Sequence, residues 1–173
     1  SVITPLSAAE NTRRTWLTVQ GTASIVGTRT EYISVAVPAL DINVSVGATY
    51  TGDGLKSKLY TVQERTNRLY NSIMANSTLT TNFVITRLGN TIAMLCTTPN
   101  APVTINHAWS TATTGAVVVT SSQSFTRAQA PTDLPSTYNG YYFTYADTQY
   151  IFDGTRKLWL APNQTPTVLN PKG

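Results

Sequence analysis

Hydrophobic residues recur along this chain at two periods. Leu59, Val62, Leu69, Tyr70 and Ile73 fall three, four or seven apart. That spacing lines one face of a 3.6-residue helix. Thr61 and Glu64 stand three apart at the start of the run, the pattern of a capping box. The periodicity predicts a single amphipathic helix from about Thr61 to Asn76, within the stretch KLYTVQERTNRLYNSIMAN. A lone helix of this kind must lay its apolar stripe on something, and the flanking sequence offers strands.

Elsewhere the period is two, or the apolar runs are short and β-branched. WLTV at 16–19, YISVAV at 32–37 and INVSV at 42–46 alternate or run as strands. NFVITR and TIAMLCT flank Gly89-Asn90, the spacing of a β-hairpin. VTI at 103–105 and AVVVT at 116–120 add two more. The last third turns aromatic: YYFTY at 141–145, QYIF at 149–152 and KLWL at 157–160, with Asp153-Gly154 as the expected tight turn. The fold class that follows is α+β: a mostly antiparallel or mixed sheet, one helix packed on it, and a C-terminal aromatic β-meander. Residues 1–14 read as a lead-in linker and 15–122 as the helix-on-sheet unit. Residues 123–160 read as an extended connector and aromatic meander of the same domain, and 161–173, with three prolines, as an exit linker.

Composition narrows the chemistry. Only 12% of the 173 residues are charged, about half the usual share. Polarity comes from Thr, Ser, Asn and Gln, and Thr favours extended chain. Net charge is +4, but no basic run exceeds two residues. A nucleic-acid groove needs such residues clustered with aromatics between them, so no sequence-specific nucleic-acid binding is expected. Arg65 and Arg68 share a helix turn and read as its solvated outer face. No apolar run approaches the ~20 residues that span a bilayer, so no membrane insertion is expected. The chain begins with Ser, which suggests a processed chain or a piece of a longer one.

Candidate catalytic groups are sparse. One cysteine, Cys96, sits in an apolar run and reads as a small core residue; the one histidine, His107, reads as structural beside Trp109. One His and one Cys cannot make an ordinary zinc centre, and no phosphate loop or nucleophile elbow is present. No cofactor is expected. Of eight carboxylates, Glu64 suits the capping box, Asp153 the tight turn and Asp53 a glycine-rich loop; Asp133 and Asp147 are the pair that any glycosidase-like chemistry would draw on, and nothing marks them for it. Asn43, Asn76 and Asn163 begin N-x-S/T triplets, which chance supplies in so Asn-, Ser- and Thr-rich a chain. The remaining candidates are surfaces: Tyr141, Tyr142, Tyr145 and Tyr150, with Arg156 and Lys157, form the candidate contact surface, since Tyr can stack on sugars or anchor interfaces.

The order of these elements resembles the inserted domain of the larger tail tubular, or nozzle, protein of short-tailed bacteriophages. The resemblance runs from about Trp16 to Leu160. It rests on WLTVQGTASIVGTRTEYISVAV, then LYTVQERTNRLYNSIMANS, then FVITRLGNTIAMLCTTPNAPVTI. A connector follows with Ser124-Phe125, Leu134-Pro135 and Gly140-Tyr141, and the chain closes with Tyr150 to Asp153 and Arg156-Lys157-Leu158-Trp159. The resemblance implies a virion structural domain without catalytic residues. Its full-length parent would form a homo-hexameric ring in the phage tail, made in the bacterial host cytoplasm. Its partners would be neighbouring tail subunits, tail fibres or host-surface glycan, and the isolated domain would be monomeric. The alternative is a carbohydrate-binding or adhesive β-rich module; a lysin-type enzyme is the reading least supported by the carboxylates.

Overall fold

The computed structural model describes residues 3–11, 13–121 and 132–161, with the backbone alone of 118–121. In chain order it has helix α1 (Ala8–Asn11), strands β1 (Arg14–Gln20), β2 (Ala23–Ile25), β3 (Thr28–Val37), β4 (Ile42–Thr51) and β5 (Lys58–Tyr60), then helices α2 (Val62–Met74) and α3 (Ser77–Asn82). Strands β6 (Phe83–Leu88), β7 (Thr91–Cys96), β8 (Thr104–Trp109) and β9 (Ala116–Ser121) follow, and β10 (Tyr142–Tyr145), β11 (Thr148–Asp153) and β12 (Leu158–Leu160) close the described chain. The class is α+β with antiparallel sheets, as the periodicity predicts.

Two compact bodies share the chain. The larger is residues 13–121; the smaller joins residues 1–12 to residues 122–173. The chain therefore leaves the smaller body near Thr12 and returns to it at Ser122. This differs from the expected division in two respects: the aromatic meander belongs to a compact body of its own rather than to the helix-on-sheet unit, and the N-terminal stretch is part of that smaller body rather than a linker. In the smaller body Leu6 N–H donates to Gly140 O at 3.0 Å, and the Asn11 carboxamide grips Tyr142 from both sides. Asn11 Nδ2 donates to Tyr142 O at 3.1 Å, and Tyr142 N–H donates to Asn11 Oδ1 at 3.0 Å. A buried side-chain amide thus replaces a neighbouring strand at the edge of β10. Composition marks residues 3–11 as polar but not as adhesive, because the bonds use one side chain and the backbone. The expected connector falls partly on residues 123–131, which lie outside the described residues, as does the exit linker beyond Ala161.

The larger body has a four-stranded sheet in the order β6-β7-β1-β9 and a three-stranded sheet in the order β4-β3-β8, with β2 and β5 paired beside them. Its core gathers inward residues of both sheets and of α2: Leu17 and Val19, Ile33, Val35 and Val37, Ile92 and Met94, with Leu69 and Ile73 from the helix. Burying each such aliphatic side chain stabilises by about 1.5–3 kcal/mol. The capping box of α2 forms as its sequence predicts: Glu64 N–H donates to Thr61 Oγ1 at 3.1 Å, and Thr61 N–H to Glu64 Oε1 at 3.0 Å. The helix is shorter than expected. Leu59 lies before the cap, on β5, and is exposed. Beyond Met74 the helix stops, and the Asn76 side chain caps a separate short helix, accepting from Leu79 N–H at 3.0 Å.

Gly89-Asn90 makes the two-residue turn expected between β6 and β7, with Gly89 at φ +62°. Asp153-Gly154 does not make a two-residue turn. Asp153 ends β11, and Gly154 to Lys157 form a longer loop, with Asp153 Oδ1 accepting from Thr155 and Arg156 N–H. The two-residue hairpin of the meander is instead Ala146-Asp147, both at positive φ (50° and 63°), a type I′ geometry that matches strand twist. Asp147, a candidate acid in the sequence, is a turn residue.

Candidate functional site

Chemistry in the larger body concentrates where no exposed site was expected. On β3 the inward phase runs Glu31, Ile33, Val35, Val37, so a carboxylate occupies a core position. On α2 the buried row Arg65, Leu69, Ile73 rises four at a time and brings a guanidinium to the same place. On β4 the inward phase ends at Tyr50, and on β8 it carries Ile105 and His107. These four side chains meet.

Glu31 accepts four hydrogen bonds on two oxygens. Oε1 takes the Tyr50 hydroxyl at 2.9 Å and Arg65 Nε at 3.4 Å. Oε2 takes Arg65 Nη2 and, at 2.6 Å, His107 Nε2. Arg65 spends its other N–H groups on backbone: Nη1 donates to Gln20 O at 2.8 Å and Gly21 O at 2.7 Å, and Nη2 reaches Ala116 O at 3.3 Å. The guanidinium also lies 5.5 Å from the Trp109 ring, and Trp109 Nε1 donates to Gly115 O at 3.0 Å. Burial pushes the Glu31 carboxyl up, but the hydrogen bonds from His107 and Arg65, with the Arg65 charge and the Tyr50 hydroxyl, hold it below the usual range. Tyr50 is pushed well up, first by burial and then by the adjacent Glu31 charge. With the carboxylate ionised, His107 Nε2 is the donor in its bond.

Arg65 is thus a correction to the sequence reading: it is fully buried, not solvated. Arg68 does face outward. It stacks over Tyr50 and Tyr60 at 5.2 and 5.1 Å and donates to Thr49 O at 2.8 Å. The chemical role of the Glu31 cluster is to tie elements together. Its partners come from β3, β4, β8, α2 and the ends of β1 and β9, and every acceptor site on the carboxylate is used. Only His107 keeps some access to solvent, with 11% of its side chain exposed. A carboxylate so enclosed offers nothing to a substrate.

Cys96 and His107 are not strand neighbours. Cys96 is paired with Phe83 on β7, and His107 with Ile33 on β8 of the other sheet. Cys96 is buried, as expected of a core residue. No group of three or more potential metal ligands occurs among the described residues, and none of their helices is long and apolar enough to cross a membrane.

The tyrosine surface expected in the meander is only partly assembled. Tyr141 is a correction: it is buried, at 1% exposure, with its ring 5.4 Å from that of Tyr138. Tyr150 is half-buried and stacks on Phe143 at 5.4 Å, in an aromatic row continued by Trp159 and Phe152. Arg156 is engaged with Asp153 at 3.2 Å, and Lys157 donates to Leu134 O. Tyr142 is half-buried, and Tyr145, at 40%, is the most open of the four tyrosines. Alternation explains part of the outcome: Tyr141 and Phe143 share the buried phase, while Tyr145, of the same phase, ends β10 at the turn and stays exposed. Asp133 and Asp147 are both exposed, the second in its turn.

A different surface carries the most exposed aliphatic side chains among the described residues. In the larger body, the turn from Asp53 to Lys56 closes with two backbone hydrogen bonds and holds Leu55 at its tip, 99% exposed. Leu59 on β5 is 59% exposed, and Val26, just past β2, is 48% exposed. Gly52 joins these parts; a Cβ there would stand 2.6 Å from Ile25 O and 3.1 Å from Val26 Cα. Nothing in the sequence periodicity separates Leu59 from the helix stripe, so this corner was not foreseen. No family model matches the chain, and neither a curated protein nor a solved structure matches it.

Proposed function

We propose that this chain is a structural domain of a short-tailed bacteriophage tail protein of the tubular or nozzle type, acting by packing against other polypeptides. The observation that supports it is the apolar corner of Val26, Leu55 and Leu59. Large aliphatic side chains held out on a tied turn gain nothing from folding and are stabilised by covering from outside. The enclosed Glu31 cluster fits the same reading, since it invests the buried charges in cohesion between elements. In the virion the corner would meet a neighbouring subunit of the hexameric parent or a tail fibre. The carbohydrate-binding alternative has less support, because of its four candidate rings only Tyr145 is exposed, Tyr142 and Tyr150 being half-buried and Tyr141 buried.

The test is a photo-cross-linking residue at position 55 of the full-length parent, carried in its native source. Irradiated particles should yield a covalent adduct to a tail protein, mapped by mass spectrometry, and position 41 should yield none. Absence of the parent from purified virions would reject the reading. Saturable glycan binding lost in Tyr145→Ala would favour the alternative.

A further inference from the structure

The edge of β4 is treated unevenly along its length. Thr30 O accepts from Ser110 N–H at 2.8 Å, on the β8 side of β3. By strand alternation Tyr32, Ser34 and Ala36 point their backbone groups the same way. Their partners on β4 are Gly47, Ser45 and Asn43, which therefore point N–H and C=O away from the sheet. The close hydroxyl pair Ser34 Oγ to Ser45 Oγ, at 3.2 Å, is what such a non-hydrogen-bonded pair gives.

From residue 47 onward each outward carbonyl is capped individually. Ser72 Oγ donates to Gly47 O at 2.8 Å, Arg68 Nη1 to Thr49 O at 2.8 Å, and the Tyr60 hydroxyl to Thr51 O at 2.8 Å. The capping stops at Ser72. No described residue bonds the outward backbone groups of Asn43 and Ser45. Beside them, between β4 and the last turn of α2, lies an open recess of about 310 Å³ lined by Val46, Gly47, Ser72, Ala75 and Asn76.

We propose that this open stretch of β4 accepts an extended segment of another protein as an added strand, with an aliphatic or hydroxyl side chain over the recess. Two residues with free N–H and C=O on one line match the hydrogen-bonding row of an extended strand. A residue of that strand opposite Val44 or Val46 points to the side of the sheet where α2 lies. There the recess has room for one aliphatic or hydroxyl side chain. A second copy of this chain fits less well. Two-fold pairing of Asn43 with Ser45 of the copy sets Ile42 of the copy opposite Val46, and Ile42 is already committed to its own core. The recess would then stay empty. The inference concerns a face distinct from the Leu55 corner and does not depend on the phage reading.

The probe is the peptide acetyl-Lys-Thr-Val-Thr-Val-Thr-Lys-amide, titrated into the full chain and followed by amide NMR shifts and hydrogen exchange. Saturable shifts at Asn43, Ser45 and Gly47 are expected, with slower exchange of the Asn43 and Ser45 amides. Ser45→Pro removes one outward N–H without touching the β3 ladder and should weaken binding at least tenfold. Ala75→Leu fills the recess and should do the same by another route, which guards against a Pro variant that fails to fold. N-methylation of alternate peptide amides should abolish the shifts in one of the two phases only. Three results would overturn the proposal: no shifts at these amides, equal binding by both N-methylated phases, or dimerisation of the chain with the same amides protected.

Discussion

Replacing Glu31 by Gln tests whether the buried cluster holds the larger body together. The carboxylate has two oxygens and serves four donors: the Tyr50 hydroxyl, Arg65 Nε and Nη2, and His107 Nε2. An amide keeps one oxygen and puts an NH2 group where the other was. At most two donors keep an acceptor on that oxygen. His107 can switch tautomer and accept from the new NH2 group. One Arg65 N–H then faces a donor and loses its bond. Arg65 stays charged, with its carbonyl contacts to Gln20, Gly21 and Ala116 still in place. Losing a hydrogen bond to a charged group costs about 1.5–3 kcal/mol, and leaving a buried ion without its counter-charge costs about 3–5 kcal/mol. The surviving carbonyl contacts place the expected loss at the lower end of that second range, about 3 kcal/mol. Equilibrium urea unfolding followed by fluorescence measures it, with Trp109 in contact with the cluster as a natural reporter. A double change, Glu31→Leu with Arg65→Met, removes both charges and should recover part of the loss. A single-variant loss under about 1 kcal/mol, or no recovery in the double variant, would refute the account.

The same group sets a pH dependence. Glu31 has a lower pKa folded than its ordinary value of 4.5, so its contribution is fully present above that value and is lost as pH falls through the folded one. Urea midpoints between pH 7 and pH 3 should fall more steeply for the wild type than for Glu31→Gln. Gly115 sits at φ +98°, and a Cβ there would stand 3.0 Å from Arg65 Nη1, so Gly115→Ala should lower the thermal midpoint by several degrees and perturb Trp109 fluorescence. Asn11→Ala removes both bonds to the Tyr142 backbone and should cost about 1–3 kcal/mol, read as faster amide exchange at Tyr142 and earlier loss of the near-ultraviolet aromatic signal. Leu55→Ser touches no folded contact and should leave stability within about 0.5 kcal/mol of wild type.

Much of the fold is legible in the pattern of residues. The 3.6 period, the Thr61–Glu64 box and the Gly89-Asn90 turn each follow from local chemistry. The charged cluster is legible only in part. Glu31 shares the parity of Ile33 and Val35, and Arg65 stands four before Leu69, so both positions lie on inward phases. What hides them is the prior that charges face water, which fails when two opposite charges, 34 residues apart, meet. Which residues meet is a property of strand order, which periodicity does not encode. The meander shows the converse. Its tyrosines look like a binding face in sequence, but a three-stranded sheet must bury one phase of them. Asn11 could not be read at all, because its role is to imitate backbone.

The crossing of the chain between its two bodies has a mechanical consequence. Residues 3–11 are fastened to residues 140–142 within the smaller body, while the larger body is residues 13–121 of the same chain, with Thr15 and Ser121 near its two ends paired on adjacent strands. A pull between residues 3 and 161 runs through the Leu6 and Asn11 bonds and bypasses the larger body. Only when those bonds part does tension reach β1 and β9, and then it unzips them one pair at a time from their shared end. The larger body is thus off the line of force until a small, hydrogen-bonded latch opens.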